Sequence, residues 1–220
     1  KTLQAQGAKP PEIARTLNLG EWMVPRFVNQ ANRHTIARLM RALERILAAD
    51  EAIKTGKLGD REAMDILLAE QPEYILILAG DHVYKMDYAN LIADHVAQGA
   101  PCTVACIEVP LAEASAFGVM AVDAKRRIVR FDEKPANPAP MPGRPGHALA
   151  SMGVYVFHAD YLFEALMADA KAHGSSRDFG KDLIPAIVAR GEAVAHPFGL
   201  SCVKSSSDAP AYWRDVGTID

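Results

Sequence analysis

Between residues 36 and 47, apolar side chains recur every three or four positions: Ile36, Leu39, Met40, Leu43, Ile46 and Leu47. That spacing paints one stripe along a helix, and Thr35 just before it is a suitable N-cap. Pro10 and Pro11 suit the first turn of a shorter helix that stops before Gly20. After a break at Thr55 to Gly59, Asp60 can cap a further helix through Ala69. Nothing before Gln71 has the pattern of a strand. Beyond Gln71-Pro72 the pattern changes. Tyr74-Ile75-Leu76-Ile77-Leu78-Ala79 is a continuous apolar run, which predicts a short strand buried on both faces in a parallel sheet. A helix is predicted over Tyr88 to Gln98 and another over Tyr161 to Ala172. Strands are predicted at Cys102 to Val109, Gly118 to Val122, Ile128 to Phe131 and Ser151 to Phe157. A turn begins at Asp123-Ala124-Lys125, and five prolines between Pro135 and Gly146 predict an exposed irregular loop. Strands alternating with helices define an α/β layered domain. The chain therefore reads as a helical segment over 1–70 and an α/β segment over 71–220.

Composition narrows the class. In 220 residues, half of them hydrophobic, there is enough apolar material for a core. No apolar run approaches the roughly 20 residues that span a bilayer. The opening KTLQAQGAKPPE lacks the apolar stretch of a signal peptide, and its missing initiator Met suggests a start within a longer reading frame. Cys102, Cys106 and Cys202 are too few for a disulfide framework, and the even spacing of the first two puts them on one strand face as packing residues. A reducing, cytoplasmic setting is expected. Up to Glu70 there are 11 Lys and Arg against 9 Asp and Glu, and afterwards 13 against 18. Neither part carries the basic excess of a nucleic-acid surface, and the change of sign fits two pieces of different origin.

Four strings carry candidate chemistry. In LAGDHVYKMDY (78–88), Asp81 is the first charged side chain beyond a buried strand, where ligands of open α/β sheets bind. A carboxylate there suits Mg²⁺, which takes few carboxylates plus substrate phosphates; it also suits the cap of the next turn. In FDEKP (131–135), Lys134 offers a point charge for a phosphate, and Glu133 can accept hydrogen bonds from hydroxyls. The bland reading is a solvated charge pair at a strand end. In YWRDVGT (212–218), Asp215 suits a second metal carboxylate, and Trp213 is either a wall for a sugar ring or a core residue. In SSRDFGKDLIP (175–185), Asp182 reads as a helix cap, whereas Asp178-Phe179 is either a sugar contact or an exposed turn.

Together these strings, with ASAFGVMAVD, EKPANP, ASMGVYVF and LSCV, resemble the glucose-1-phosphate adenylyltransferases in order and spacing, over about residues 73–220. The resemblance implies a GT-A-like, Rossmann-like nucleotidyltransferase domain. Its reaction joins ATP and glucose 1-phosphate into ADP-glucose and pyrophosphate, a step of glycogen synthesis. By motif position Asp81 and Asp215 would hold Mg²⁺, and Lys134 would bind the sugar phosphate. Gly118, Glu133, Ser151, Tyr155, Asp178, Phe179 and Trp213 would surround the glucose. The intact family is expected to form homo-oligomers.

The family's Gly-rich, Arg-containing loop, which cradles the nucleotide phosphates after the first strand, has no counterpart in this sequence. The glycines before Leu76 are Gly7, Gly20, Gly56 and Gly59, and none follows a predicted strand. The expectation is thus an incomplete domain: the sugar-phosphate half, with the ATP site unfinished and catalysis lacking. Residues 4–70, through WMVPRFVNQANRHTIARLMRALERILAADEAIKTG and GDREAMDILLAE, instead resemble the C-terminal collar domain of the DNA polymerase III clamp-loader delta subunit. That resemblance implies a helical assembly module, which would leave the remainder a passenger.

Overall fold

The computed structural model describes residues 6–16, 72–203 and 211–217, with isolated positions between 3 and 44. The chain divides into two compact units, Lys1–Pro72 and Glu73–Asp220. In the first, helix α1 spans Pro10–Thr16, opening on the proline pair. The Lys9 backbone N–H donates to the Glu12 carboxylate at 2.8 Å, which satisfies one of the free donors at a helix start. Ile13 and Ala14 are buried against Val24. Isolated positions apart, the helices expected after Thr35 and after Asp60, and the break at Thr55 to Gly59, lie outside the described residues.

The second unit is built on a sheet. Its strands are β1 (Tyr74–Ile77), β3 (Cys102–Pro110), β4 (Gly118–Val122), β5 (Ile128–Glu133), β6 (His147–His158) and β7 (Ala193–Pro197), in the order β5-β4-β6-β3-β7 with β1 also on β6. A small separate ladder pairs β2 (His82–Tyr84) with β8 (Trp213–Asp215). Helices α2 (Tyr88–Gln98), α3 (Ala159–Lys171) and α4 (Ile184–Ala189), with 3₁₀ turns at Leu111–Ala116 and Phe198–Leu200 and a π-helical turn at Phe179–Leu183, complete the described elements of this unit. The sheet departs from the parallel expectation. β1 runs antiparallel to β6, from Tyr74 opposite His158 to Ile77 opposite Tyr155, and its residues are half-buried. Among the described pairings only β3 with β7 is parallel. An all-apolar run reports burial of its faces, not the direction of its neighbour.

Alternation along β6 divides the core. Tyr155 and Phe157 face one layer, with Cys102, Val104, Cys106, Leu162 of α3 and Ile184 and Ile187 of α4. Met152, Val154 and Val156 face the other, with Leu91 of α2, Phe198 and Trp213. Period-two alternation on a strand thus accounts for helices on both sides of the sheet. Cys102 and Cys106 are buried in one cluster, as packing residues.

Helix α2 begins at Asp87, whose side chain accepts from the Ala89 N–H, and ends at Gly99 with φ of 68°, a left-handed cap that glycine takes without strain. Mid-helix, Asp94 receives two hydrogen bonds from Arg126 at 2.9 and 2.8 Å and pairs with His196 Nδ1 at 2.7 Å. His196 Nε2 in turn lies 2.9 Å from the Ser201 hydroxyl. His196 and Ser201 are buried, so the Arg126–Asp94–His196–Ser201 line is a clasp joining the β4–β5 turn, α2 and β7.

Candidate active site

Beyond the end of β1, Leu78-Ala79-Gly80 lead to Asp81, and the β2–β8 ladder then sets His82 opposite Asp215 and Tyr84 opposite Trp213. This register brings together carboxylates 134 positions apart in sequence (215 − 81). His82 Nε2 is 3.5 Å from Asp81 Oδ1 and 3.8 Å from Asp215 Oδ2. One potential ligand atom from each of the three residues lies within 4.8 Å of the others. Gly217 closes the turn, its N–H donating to Asp215 Oδ1 at 2.8 Å. A Cβ at Gly217 would sit 3.0 Å from Asp81 Oδ2 and 3.1 Å from Asp215 Oδ1.

These carboxylates border a cavity of about 490 Å³. Ser151, Gly153 and Tyr155 reach it from alternate positions of β6, and Gly118 from the start of β4. Glu133 ends β5 directly opposite Gly118, and Lys134 follows with φ of 44°. Arg177, Asp178, Phe179 and Gly180 close the far side. Phe179 stacks on Tyr155, with ring centroids 5.7 Å apart and planes 15° from parallel. Asp178 Oδ1 accepts from the N–H groups of Gly180 and Lys181 at 2.8 and 2.9 Å. Asp178 is therefore the residue that caps this turn. Asp182, expected as the cap, instead ties the loop back through Ser176 and the Asp178 N–H.

Electrostatics follow from placement. Burial pushes the Glu133 carboxyl above its ordinary pKa, the Asp178 charge adds to this, and Lys134 and Lys181 act against it. Burial also pushes the Tyr155 phenol up to about 12, so it stays neutral and can donate a hydrogen bond. The cavity thus has two carboxylates at one end, and an ammonium, a half-buried carboxylate and a stacked aromatic pair at the other.

Of the residues singled out in the sequence, Asp81, Gly118, Glu133, Lys134, Ser151, Tyr155, Asp178, Phe179 and Asp215 line this cavity. Trp213 is not among the lining residues. It is buried in the core beneath, edge-on to His82 at 5.1 Å and to Phe117 at 5.2 Å, both of which do line it. Arg177, Gly153, Gly180 and His82 were not among the sequence candidates. A signal for His82 was present, since it directly follows Asp81, and the opening of DFG carried one for Arg177.

The unit is a mixed sheet with helices on both sides, carrying a cavity lined by Lys134 and Glu133 as well as by the Asp81 and Asp215 carboxylates. The chain belongs to the nucleotidyl transferase family, whose family model matches residues 27–220. Over 157 residues, 71% of this chain, it is 73% identical to a glucose-1-phosphate adenylyltransferase of Albidiferax ferrireducens. Over the same length it is 59% identical to proteins of that name from Yersinia pseudotuberculosis and Yersinia pestis. The chain spans 37%, 37% and 33% of the length of these relatives, respectively. Among the described residues, no helix is long and apolar enough to cross a membrane.

Proposed function

We propose that this chain carries the glucose 1-phosphate side of an adenylyltransferase site that makes ADP-glucose and pyrophosphate from ATP and glucose 1-phosphate. The observation that carries the reading is the single cavity joining Lys134 and Glu133 to the Asp81–Asp215 pair, in a chain so close to enzymes of that name. In the reaction an oxygen of the sugar phosphate attacks the α-phosphorus of ATP. The new P–O bond forms as the bond to pyrophosphate breaks, in line. Lys134 offsets the charge of the sugar phosphate. Glu133 accepts hydrogen bonds from sugar hydroxyls, with Ser151 and the other carboxylate oxygen of Asp178 as further polar partners. The Tyr155–Phe179 pair presents an apolar wall to the C–H face of the ring. Trp213 acts from behind, fixing His82 and Phe117. Asp81 and Asp215 would hold Mg²⁺, which neutralises phosphate charge when bound. The protein's contribution is positioning and charge, with no covalent nucleophile.

Calorimetric titration with glucose 1-phosphate in Mg²⁺ tests this. Saturable binding is expected, weakened roughly 10- to 100-fold by Lys134→Ala, the effect of losing a charge-assisted hydrogen bond worth about 1.5–3 kcal/mol. No saturable binding, or binding indifferent to Lys134, refutes it.

For residues 4–70, the helical assembly reading is favoured by the separate compact unit Lys1–Pro72. The family match begins at residue 27 and so runs into that segment. Co-purification with clamp-loader subunits tests the assembly role, and its absence under conditions that retain a known collar domain counts against it. Homo-oligomerisation and a cytoplasmic setting belong to the same proposal for the parent family.

A further inference from the structure

We infer that Arg177 is a second phosphate-binding residue of this cavity, closing with Lys134 on the doubly charged phosphate of the sugar substrate. This rests on the glucose 1-phosphate reading above and adds a residue to it.

Seven arginines lie in the unit Glu73–Asp220. Five of them, Arg126, Arg127, Arg130, Arg144 and Arg190, each pair with a carboxylate. Arg177 has no side-chain partner among the described residues, and Lys134 has none either. Arg214 is also unpaired, but it does not line the cavity. Acids are not lacking around Arg177, since Asp169, Asp178 and Asp182 all lie within eight positions of it (177 − 169). Each is engaged by another donor. Asp169 accepts from the Ser175 hydroxyl, Asp178 from the N–H groups of Gly180 and Lys181, and Asp182 from Ser176 and the Asp178 N–H.

The backbone points the same way. Arg177 has φ of 61°, and its N–H donates to the Ser175 hydroxyl at 2.9 Å. Glycine takes this conformation freely; an arginine held there at a cost marks a position where the side chain is used. That side chain lines the main cavity with Lys134 and also borders a smaller one of about 210 Å³ behind the turn. It therefore stands on the rim between the two, with no ion pair to hold it in the smaller.

Charge selects its partner. Glu133 and Asp178 already bring two acidic groups to this end of the cavity. A phosphate monoester adds about −1.5 to −2 charges at pH 7, which a single ammonium offsets only in part. A guanidinium supplies the second positive charge and a planar fork that binds two phosphate oxygens at once. An unpaired arginine among carboxylates thus complements an anion better than it complements a neutral hydroxyl.

The test is calorimetric titration of the 220-residue chain with glucose 1-phosphate in Mg²⁺, at pH 7.5 and at pH 5. Arg177→Asn removes the charge and suits a left-handed backbone, and a circular-dichroism melt should show its fold intact. At pH 7.5 it should weaken binding by about 5- to 30-fold, with Arg177→Lys falling between the two. The second phosphate ionisation lies near pH 6. At pH 5 the ligand therefore carries one charge, which Lys134 offsets alone, and the gap should shrink below about 3-fold. The titratable and charged groups that line the cavity, Asp81, His82, Glu133, Lys134, Asp178 and Asp215, are common to both chains and do not create the gap. Binding by folded Arg177→Asn within about 2-fold of wild type at pH 7.5, or a gap as wide at pH 5, overturns the proposal and leaves the Lys134 reading standing. Absence of saturable binding in the wild type refutes both.

Discussion

Glu133 is clamped between two glycines, and replacing one of them moves the carboxylate without touching its chemistry. A Cβ at Gly180 would lie 2.5 Å from Glu133 Oε2 and 2.8 Å from its Cδ. Ordinary contact begins near 3.4 Å, so the carboxylate must retreat by about 0.9 Å (3.4 − 2.5). Retreat toward Gly118 is closed, because Gly118 already lies so close that its own Cβ would be 2.9 Å from the same oxygen. A hydrogen bond near 2.8 Å stretched by that amount is no longer one. Gly180→Ala should therefore remove the sugar contact proposed for Glu133, at about 1.5–3 kcal/mol for a charged acceptor, or roughly 10- to 100-fold in the Kd for glucose 1-phosphate. Folding should change by less than about 1 kcal/mol. The displaced atoms are the far end of a flexible side chain, Gly180 is not in the left-handed region, and removing glycine restricts the unfolded chain. Calorimetry of wild type, Gly180→Ala, Glu133→Gln and the double variant gives the coupling. The two losses should overlap, the double variant binding no worse than the weaker single one. If Glu133→Gln loses tenfold while Gly180→Ala binds within twofold of wild type, the clamp is irrelevant and the reasoning fails.

Three further outcomes are expected. Burial pushes the Asp94 carboxyl up, but the hydrogen bonds of His196 and Arg126 outweigh it and hold the group well below its unfolded value of 3.8; a depressed folded pKa means stability present above about pH 4 and lost as the pH falls below it. Asp94→Asn should thus cost about 1.5–3 kcal/mol at pH 7, and thermal unfolding should show the gap to wild type narrowing below pH 4. A gap that is constant with pH refutes the assignment. The unit Glu73–Asp220, expressed alone, should unfold cooperatively and bind glucose 1-phosphate as the 220-residue chain does; an aggregated or molten product would show that the helical unit is needed. Since no basic Gly-rich turn for the triphosphate is legible in the sequence, and orientation supplies roughly 7–11 kcal/mol of barrier lowering, these 220 residues alone should turn over far below about 1 s⁻¹. Turnover at or above that rate with ATP, glucose 1-phosphate and Mg²⁺, abolished by Asp81→Asn, refutes the expectation.

How much of this was legible depended on how local each signal is. The Gly118–Val122 strand and the Tyr88–Gln98 helix match their predicted limits because periodicity and caps lie within the segments themselves. β7 and the β2–β8 ladder were missed: His82–Tyr84 and Trp213–Asp215 are three residues long, too short for a period, and Ala193–Pro197 carries a histidine and a proline. That ladder is what brings Asp81, His82 and Asp215 together; Asp81 and Asp215 could be named as candidates from their motifs, whereas the signal for His82, its place directly after Asp81, gained weight only from the register that sets it opposite Asp215. The two faces open to Trp213 in the sequence are decided by the same ladder, which sets it opposite Tyr84 and turns it into the core.

Backbone conformation adds an argument that no sequence pattern carries. Among the described residues, three that are not glycine have φ in the left-handed region, Arg126, Lys134 and Arg177, at 63°, 44° and 61°. Two of the three line the cavity, Lys134 directly after Glu133 and Arg177 directly before Asp178. Such a conformation costs of order 1–3 kcal/mol and persists only where the surroundings impose it. Here the restraint is visible: the Lys134 N–H donates to the Phe117 carbonyl at 3.1 Å, and the Arg177 N–H to the Ser175 hydroxyl at 2.9 Å. At Lys134 the twist comes directly after β5, so the strand that fixes Glu133 opposite Gly118 releases the next side chain in a different direction. Adjacent residues on a continuing strand would point to opposite faces of the sheet; the turn at Lys134 is what lets Glu133 and Lys134 reach one cavity. The same holds at Arg177, which precedes Asp178 in a capped turn, and both line the cavity. Strain at these two positions is therefore the local cost of bringing consecutive charged residues to a common cavity.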